Sequence, residues 1–278
     1  MMMTKLATKP PQLTAIVIAK NEAKMISNCL QTLQWCDELL VIDNGSSDQT
    51  AKLAEDFGAK VIGFESQSFA RLRDEGLKRA QHDWVFYLDA DERVTPTLAK
   101  EIQVQLETTQ AGALRIRRTN ICYGKEFRHG GWQKDYVTRV FQKKLLAGWT
   151  GKVHESPVFD GGVATLQTPL IHLTHRNTTG GLKKTMHWTK IEAELLVKAK
   201  VSSVGFKTIL RKGLLEFWRR AIWQRGYQDG TQGLIEALVQ AINKFLIYIQ
   251  VWELQQRPPL ADQYQQLEAD ITKLWEQQ

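Results

Sequence analysis

Asp89 and Asp91 stand one residue apart at the end of the apolar run Trp84-Val85-Phe86-Tyr87-Leu88. A buried strand that delivers two carboxylates to the point where the chain leaves its sheet makes an oxygen-rich site for a hard divalent cation and the phosphates it neutralises. Such a spacing alone occurs in many loops and helix caps. Its weight here comes from its place, as the end of the fourth strand in an alternating strand-helix series.

Leu13 to Ala19 is a β-branched run that reads as a buried strand, and Asn21-Glu22 opens a helical stretch through Ile26 and Leu30 to Leu33. Leu39 to Asp43 is the second strand, followed by the turn Asn44-Gly45-Ser46-Ser47-Asp48 and a helical face of Ala51, Leu53, Ala54 and Phe57 that ends at Gly58. Lys60 to Phe64 is the third strand, Phe69 to Ala80 a basic helix, and Trp84 to Leu88 the fourth strand. Nearly continuous apolar strands joined by helices imply a parallel sheet covered on both faces, with ligands at the carboxyl ends of its strands. Thr95-Pro96 then caps a helix reaching about Leu106. From Ala113 to Leu173 short strands (Ala113 to Arg117, Val137 to Gln142, Val163 to Gln167, Leu170 to Leu173) alternate with Gly-rich turns, a mixed and loop-rich stretch suited to an acceptor. Beyond Thr178 the pattern is helical.

The 278 residues, 43% hydrophobic and 24% charged, argue against disorder and against a membrane-embedded bundle. A net charge of +7 favours an acidic partner: a nucleotide sugar, an anionic lipid surface or a nucleic acid. Three cysteines, Cys29, Cys36 and Cys122, have neither disulfide nor zinc spacing, and Met1 to Gln12 carries no apolar core of a signal peptide, so a reducing cytoplasm is expected.

Five motifs in order, Ala15 to Glu22, Val41-Ile-Asp-Asn-Gly-Ser-Ser-Asp48, Tyr87-Leu-Asp-Ala-Asp-Glu-Arg-Val94, His129-Gly-Gly-Trp132 and Gly151-Lys-Val-His-Glu155, resemble the family 2 glycosyltransferases of the GT-A fold, and more narrowly the lipopolysaccharide-core glucosyltransferases. The resemblance covers roughly residues 13 to 175. It implies an α/β nucleotide-sugar-binding domain with a mixed central sheet over residues 1–205 and an amphipathic helical extension over 206–278. It further implies an inverting transfer of a hexose, glucose in the narrower group, from a nucleoside diphosphate sugar, expected to be a UDP-sugar, to a lipid-linked or envelope glycan. Asp43 then binds the uracil or ribose, Asn21-Glu22 lies beside the base, and Arg73 in Arg73-Asp74-Glu75-Gly76-Leu77 meets the nucleotide or its phosphates. Asp74 departs from the family pattern, which has Asn there. The resemblance gives Asp89 to the ribose or a water in the metal shell and Asp91 to a magnesium or manganese ion, which stabilises the departing diphosphate as a Lewis acid. The base that takes the acceptor proton is Glu155 or Asp135, with Glu155 favoured. His154 holds the diphosphate or joins the metal shell, and Trp132 stacks on a sugar ring. Arg71 and Arg79 read as a solvated face, and His172 and His175 as structural.

Residues 206 to 225 interleave Phe206, Leu210, Leu214, Phe217, Trp218, Ile222 and Trp223 with Lys207, Arg211, Lys212, Arg219, Arg220 and Arg225. A helix with this composition suits an anionic membrane interface, and the polar residues within Leu234 to Trp252 speak against a spanning helix, so a peripheral position on the inner face of the cytoplasmic membrane is expected. Packing against the catalytic domain or a second subunit is the competing reading, and an oligomer stays open. A non-catalytic basic module binding anionic membrane or nucleic acid would satisfy the charge but leave the acidic pair unexplained; nucleic acid is not the expected partner.

Overall fold

A computed structural model describes residues 11–151 and 155–276, in two compact units. The first comprises the described residues up to Ile121 together with Lys134–Thr174. Its strands are β1 (Leu13–Ala19), β2 (Glu38–Asp43), β3 (Lys60–Gly63), β4 (Trp84–Asp89), β5 (Glu92–Arg93) and β6 (Ala113–Cys122), then β8 (Tyr136–Gln142), β9 (Leu146–Thr150), β10 (Ser156–Phe159), β11 (Val163–Thr165) and β12 (Leu170–Leu173). Its helices are α1 (Ile26–Gln31), α2 (Thr50–Asp56), α3 (Phe69–Arg79) and α4 (Pro96–Thr108).

The main sheet runs β3-β2-β1-β4-β8-β6-β12-β5. Its first four strands are parallel, because each returns through a helix. Strand β8 then enters antiparallel between β4 and β6, which makes the sheet mixed. A mixed α/β sheet is what the motifs implied. One face packs Leu13, Val17, Leu30, Leu88 and Ile102. The other packs Ile16, Ile42, Leu72, Tyr87 and Phe141. Helix α3 lies close on the sheet because residue 76 has no side chain: a Cβ there would stand 2.6 Å from Cγ2 of Ile16. Thr95 caps α4 as expected, its hydroxyl accepting from Leu98 N–H at 3.2 Å, with Pro96 in the first turn. Helix α1 is shorter than its apolar spacing suggested. Asn21 takes a left-handed conformation (φ 56°), and the Glu22 carbonyl closes a turn with the N–H groups of Met25 and Ile26 before regular helix starts.

The second unit joins residues 122–133 to the chain from His175 onward. It holds β7 (Lys125–Glu126), α5 (Thr178–Lys198), α6 (Phe206–Trp218) continuing into a π-turn (Arg219–Trp223), a 3₁₀ turn (Gly226–Asp229), α7 (Gly230–Leu254) and α8 (Leu260–Glu276). The compact units therefore divide elsewhere than at residue 206. Helix α5 shares the cluster of Ala193, Val204, Ile247, Tyr248 and Val251 with α7, and Thr185 Oγ1 donates to Asn243 Oδ1 at 3.0 Å. Residues 122–133 are held by buried Asp229, which accepts from the N–H groups of Arg128 and His129 and from Lys125 through its carbonyl. Helices α6 and α7 meet at Gly213, where a Cβ would fall 2.2 Å from the Phe245 ring.

Candidate active site

Strand β4 carries Asp89 out of the core to a carboxylate that two arginines claim. Arg139 of β8 donates Nη2 to Asp89 Oδ2, and Arg73 of α3 sets Nη2 3.6 Å from Asp89 Oδ1. The same Arg139 nitrogen donates to Oε1 of fully buried Glu92 at 2.6 Å, and Glu92 Oε2 accepts from Asp89 N–H at 3.0 Å. Burial would push the Asp89 carboxyl up, but the Arg139 and Arg73 charges outweigh it and hold the group well below the usual carboxylate range.

Arg73 is the hub. Its guanidinium carbon lies 4.7 Å from the Trp149 ring centroid and 5.6 Å from that of Tyr87, whose hydroxyl donates to the Arg73 carbonyl at 2.9 Å. Arg73 Nε is also 4.0 Å from Oε1 of Glu155. One stacked cation thus joins the expected base to the end of β4. Asp74, which stands where the family pattern has Asn, holds local structure: its Oδ1 accepts from the Trp149 backbone N–H at 3.0 Å, tying α3 to β9. An asparagine oxygen could accept the same bond, so the departure leaves the local structure intact.

Asp91 faces His172, the Oδ2 to Nε2 distance being 3.6 Å. Strand pairing sets this: His172 on β12 lies opposite Glu92 on β5 and Asn120 on β6. The Nδ1 of His172 meets Asn120 Oδ1 at 2.6 Å, Asn120 Nδ2 donates to Asp135 Oδ2 at 2.9 Å, and Arg118 grips Asp135 with Nε and Nη2 at 2.9 and 3.0 Å. Arg118 Nη1 also reaches Glu92 Oε1 at 3.3 Å, closing a polar ring beneath the Asp89-Ala90-Asp91 turn. Burial would raise the Asp135 carboxyl, yet its bonds to Arg118 and Asn120 hold it below the ordinary value. With both oxygens already accepting, Asp135 is poorly placed to take a proton.

At the ends of β1 and β2, Ser46 links the two predicted nucleotide residues. Its hydroxyl donates to Asp43 Oδ1 at 2.5 Å and accepts from Asn21 N–H at 2.9 Å, while Asn21 Oδ1 accepts from Ser47 N–H at 2.8 Å. Glu22 N–H donates to Thr50 Oγ1 at 2.8 Å. An open cleft of about 590 Å³ beside this platform is lined by Lys20, Asn44, Glu65, Ser66 and Arg71, among others. Arg71, expected on a solvated face, therefore lines the cleft, whereas Arg79 does pair outward with Glu75 at 2.7 Å.

Trp132 belongs to the second unit, where its ring packs edge-on against Phe127 and His175. His175 pairs with buried Glu236 at 2.7 Å, as a structural histidine would. His154 lies outside the described residues. Glu92, Arg118, Asn120, Arg139 and His172 join the site without a sequence signal of their own, except that Glu92 directly follows the acidic pair in Asp89-Ala-Asp-Glu92.

Residues 14–157, just over half of the chain, match the family Glycosyl transferase family 2. Similar proteins include the lipopolysaccharide core biosynthesis glycosyltransferase LpsC of Rhizobium meliloti (strain 1021), 24% identical over 90% of this chain and 96% of that one. An uncharacterized glycosyltransferase of Rickettsia felis is 25% identical over 84% of this chain and 87% of its own. A TPR repeat-containing protein of Synechococcus elongatus is 32% identical over 56% of this chain, which spans 37% of that longer protein. With the family matched from β1 past Glu155, the reading as a non-catalytic module is set aside: the chain belongs to glycosyl transferase family 2 and is a glycosyltransferase.

Proposed function

We propose that this enzyme transfers a hexose, glucose first among the candidates, from a UDP-sugar to a hydroxyl of a lipopolysaccharide-core or related envelope glycan, with inversion and with a magnesium or manganese ion. The observation that carries the reading is the single guanidinium of Arg73 reaching both Asp89 and Glu155. It sets a diphosphate-side cation next to a carboxylate able to act as base. The similarity to LpsC over nearly its full length supports the acceptor class.

The residues fit a hard cation at Asp91 rather than at Asp89. Asp89 is engaged by two arginines, while Asp91 Oδ2 and His172 Nε2 converge as an oxygen and a nitrogen donor. A cation bound there would neutralise charge on the departing diphosphate. Around it, Asn21 and Asp43 hold the nucleoside, and Arg73 meets the phosphates. Glu155 takes the proton of the acceptor hydroxyl as its oxygen bonds to the anomeric carbon, and the glycosidic electron pair leaves with the diphosphate. A screen of nucleotide sugars for Mn²⁺-dependent transfer tests this, UDP-glucose being expected to lead. Glu155→Gln is expected to lower kcat about 10²- to 10⁴-fold with donor affinity little changed. An unaltered kcat would remove Glu155 from the role.

The helical unit fits the underside of a membrane. Its π-turn and α6 expose Trp223 (72%) and Phe206 (76%) with Leu214, Trp218 and Ile222 among Lys and Arg side chains. The stretch Gly226–Leu254, the 3₁₀ turn with α7, is long and apolar enough to cross a bilayer by length and composition, but α7 buries Glu236, Ala237, Ala241, Ile247 and Val251 within the unit. Lying on the cytoplasmic leaflet is therefore the better assignment. The protein is expected to sediment with vesicles containing anionic lipid and to stay in solution with neutral ones. Equal recovery with Trp218 and Trp223 both changed to Ser would refute it.

A further inference from the structure

We propose that Asp135 is a positioning residue: through Asn120 it fixes His172 as the Nδ1–H tautomer and so turns the Nε2 lone pair toward Asp91 for a divalent cation. The inference rests on the metal reading above and concerns how the protein prepares that donor.

Each link follows from what the groups can do. Arg118 presents two N–H donors to the two Asp135 oxygens, so this carboxylate is ionised and can only accept. Facing it, Asn120 must present its NH₂, which donates to Asp135 Oδ2 at 2.9 Å. The amide carbonyl is thereby aimed at His172, 2.6 Å from Nδ1. A carbonyl cannot donate, so the Nδ1 position carries the hydrogen, and on the neutral ring Nε2 keeps its lone pair. That lone pair faces Asp91 Oδ2 at 3.6 Å, two acceptors converging as a shared cation requires. An outer partner that sets the tautomer and aim of a metal-binding imidazole is the usual support of such a ligand. Its rigidity comes from strands. Asn120 is buried, His172 is its direct neighbour across the β6–β12 pair, and Arg118 is held in turn by fully buried Glu92.

The tests use the full chain. In metal-free wild type at a pH of about 8, above the ordinary imidazole value, ¹⁵N NMR of labelled histidine is expected to show His172 as Nδ1–H; an Nε2–H tautomer or a doubly protonated ring overturns the inference without any variant having to fold. Mn²⁺ titration followed by EPR is expected to give affinities about 10- to 100-fold weaker for Asn120→Ala and Asp135→Asn, in samples whose thermal unfolding shows they are folded. Unchanged affinity in both overturns it. So does a fall in kcat for Asp135→Asn with Mn²⁺ affinity intact, since that is the signature of a base. Mn²⁺ that fails to bind wild type, or binds Asp91→Asn equally well, sinks the metal reading and the inference with it. Binding lost in Asp91→Asn but indifferent to Asn120 and Asp135 sinks the inference alone.

Discussion

Asp91→Asn is expected to abolish metal-dependent transfer, with kcat down about 10³-fold or more, equivalent to about 4 kcal/mol of transition-state stabilisation. The size follows from the charge at stake. When the glycosidic bond breaks, negative charge gathers on the diphosphate oxygens, and the cation that Asp91 and His172 would hold on the proposed reading would offset it. Arg73 alone is a weaker substitute, since it is shared between Asp89 and Glu155. The substitution keeps the backbone bond that ties this residue to β12, in which the Asp91 carbonyl accepts from Leu173 N–H at 2.8 Å, and asparagine matches the carboxylate in size. Thermal unfolding without metal should accordingly match wild type, while the stabilisation that wild type gains from Mn²⁺ disappears. Full turnover by Asp91→Asn, or wild-type turnover unaffected by a chelator, would refute the assignment.

What the sequence makes legible is what its local pattern determines. Strands β1, β2 and β4 are continuous apolar runs, so hydropathy alone locates their ends and with them Asn21, Asp43 and Asp89. Arg73 is legible too, being one turn into the basic helix read from Phe69 to Ala80 and opening the motif Arg73-Asp74-Glu75-Gly76-Leu77. The ring of Glu92, Arg139, Arg118, Asn120 and His172 is not. Its members sit on four strands, β5, β8, β6 and β12, that become neighbours only through pairings distant in sequence. An arginine in a half-polar strand such as Tyr136–Gln142 looks solvated until its buried partners are known. Asp135 and Glu155 are close rivals in sequence, with Glu155 only slightly favoured, each a carboxylate after a Gly-rich turn. Geometry separates them, since Asp135 is saturated by Arg118 and Asn120 whereas Glu155 stands beside Arg73. The place of residues 122–133 in the helical unit is hidden for the same reason, depending on Asp229 about a hundred residues away.

Arg139→Met is expected to be the most damaging substitution for stability, at about 3–5 kcal/mol near neutral pH. Arg139 is almost fully buried, and one of its nitrogens serves both Asp89 and Glu92. Methionine fills part of the space but donates nothing. Asp89, with 37% of its side chain exposed, can turn to water and keep Arg73 nearby, so it bears the smaller share. Glu92 has no exposure and would keep only Arg118 and the Asp89 N–H, so most of the cost falls there. The pH dependence has a definite sign. In wild type the folded-state pKa of Asp89 lies below its unfolded value. Its contribution is therefore complete above the unfolded value of about 4 and is lost as the pH falls through the folded one. Without Arg139, less positive charge is left to offset burial at Asp89, so its pKa lies closer to the unfolded value and less of its contribution remains to be lost. The gap in stability between Arg139→Met and wild type should accordingly be widest near neutrality and narrow as the pH is lowered below about 4. Denaturant unfolding across that range would measure it. A pH-independent gap under about 1 kcal/mol would show that the ring beneath the Asp89-Ala90-Asp91 turn contributes little to folding.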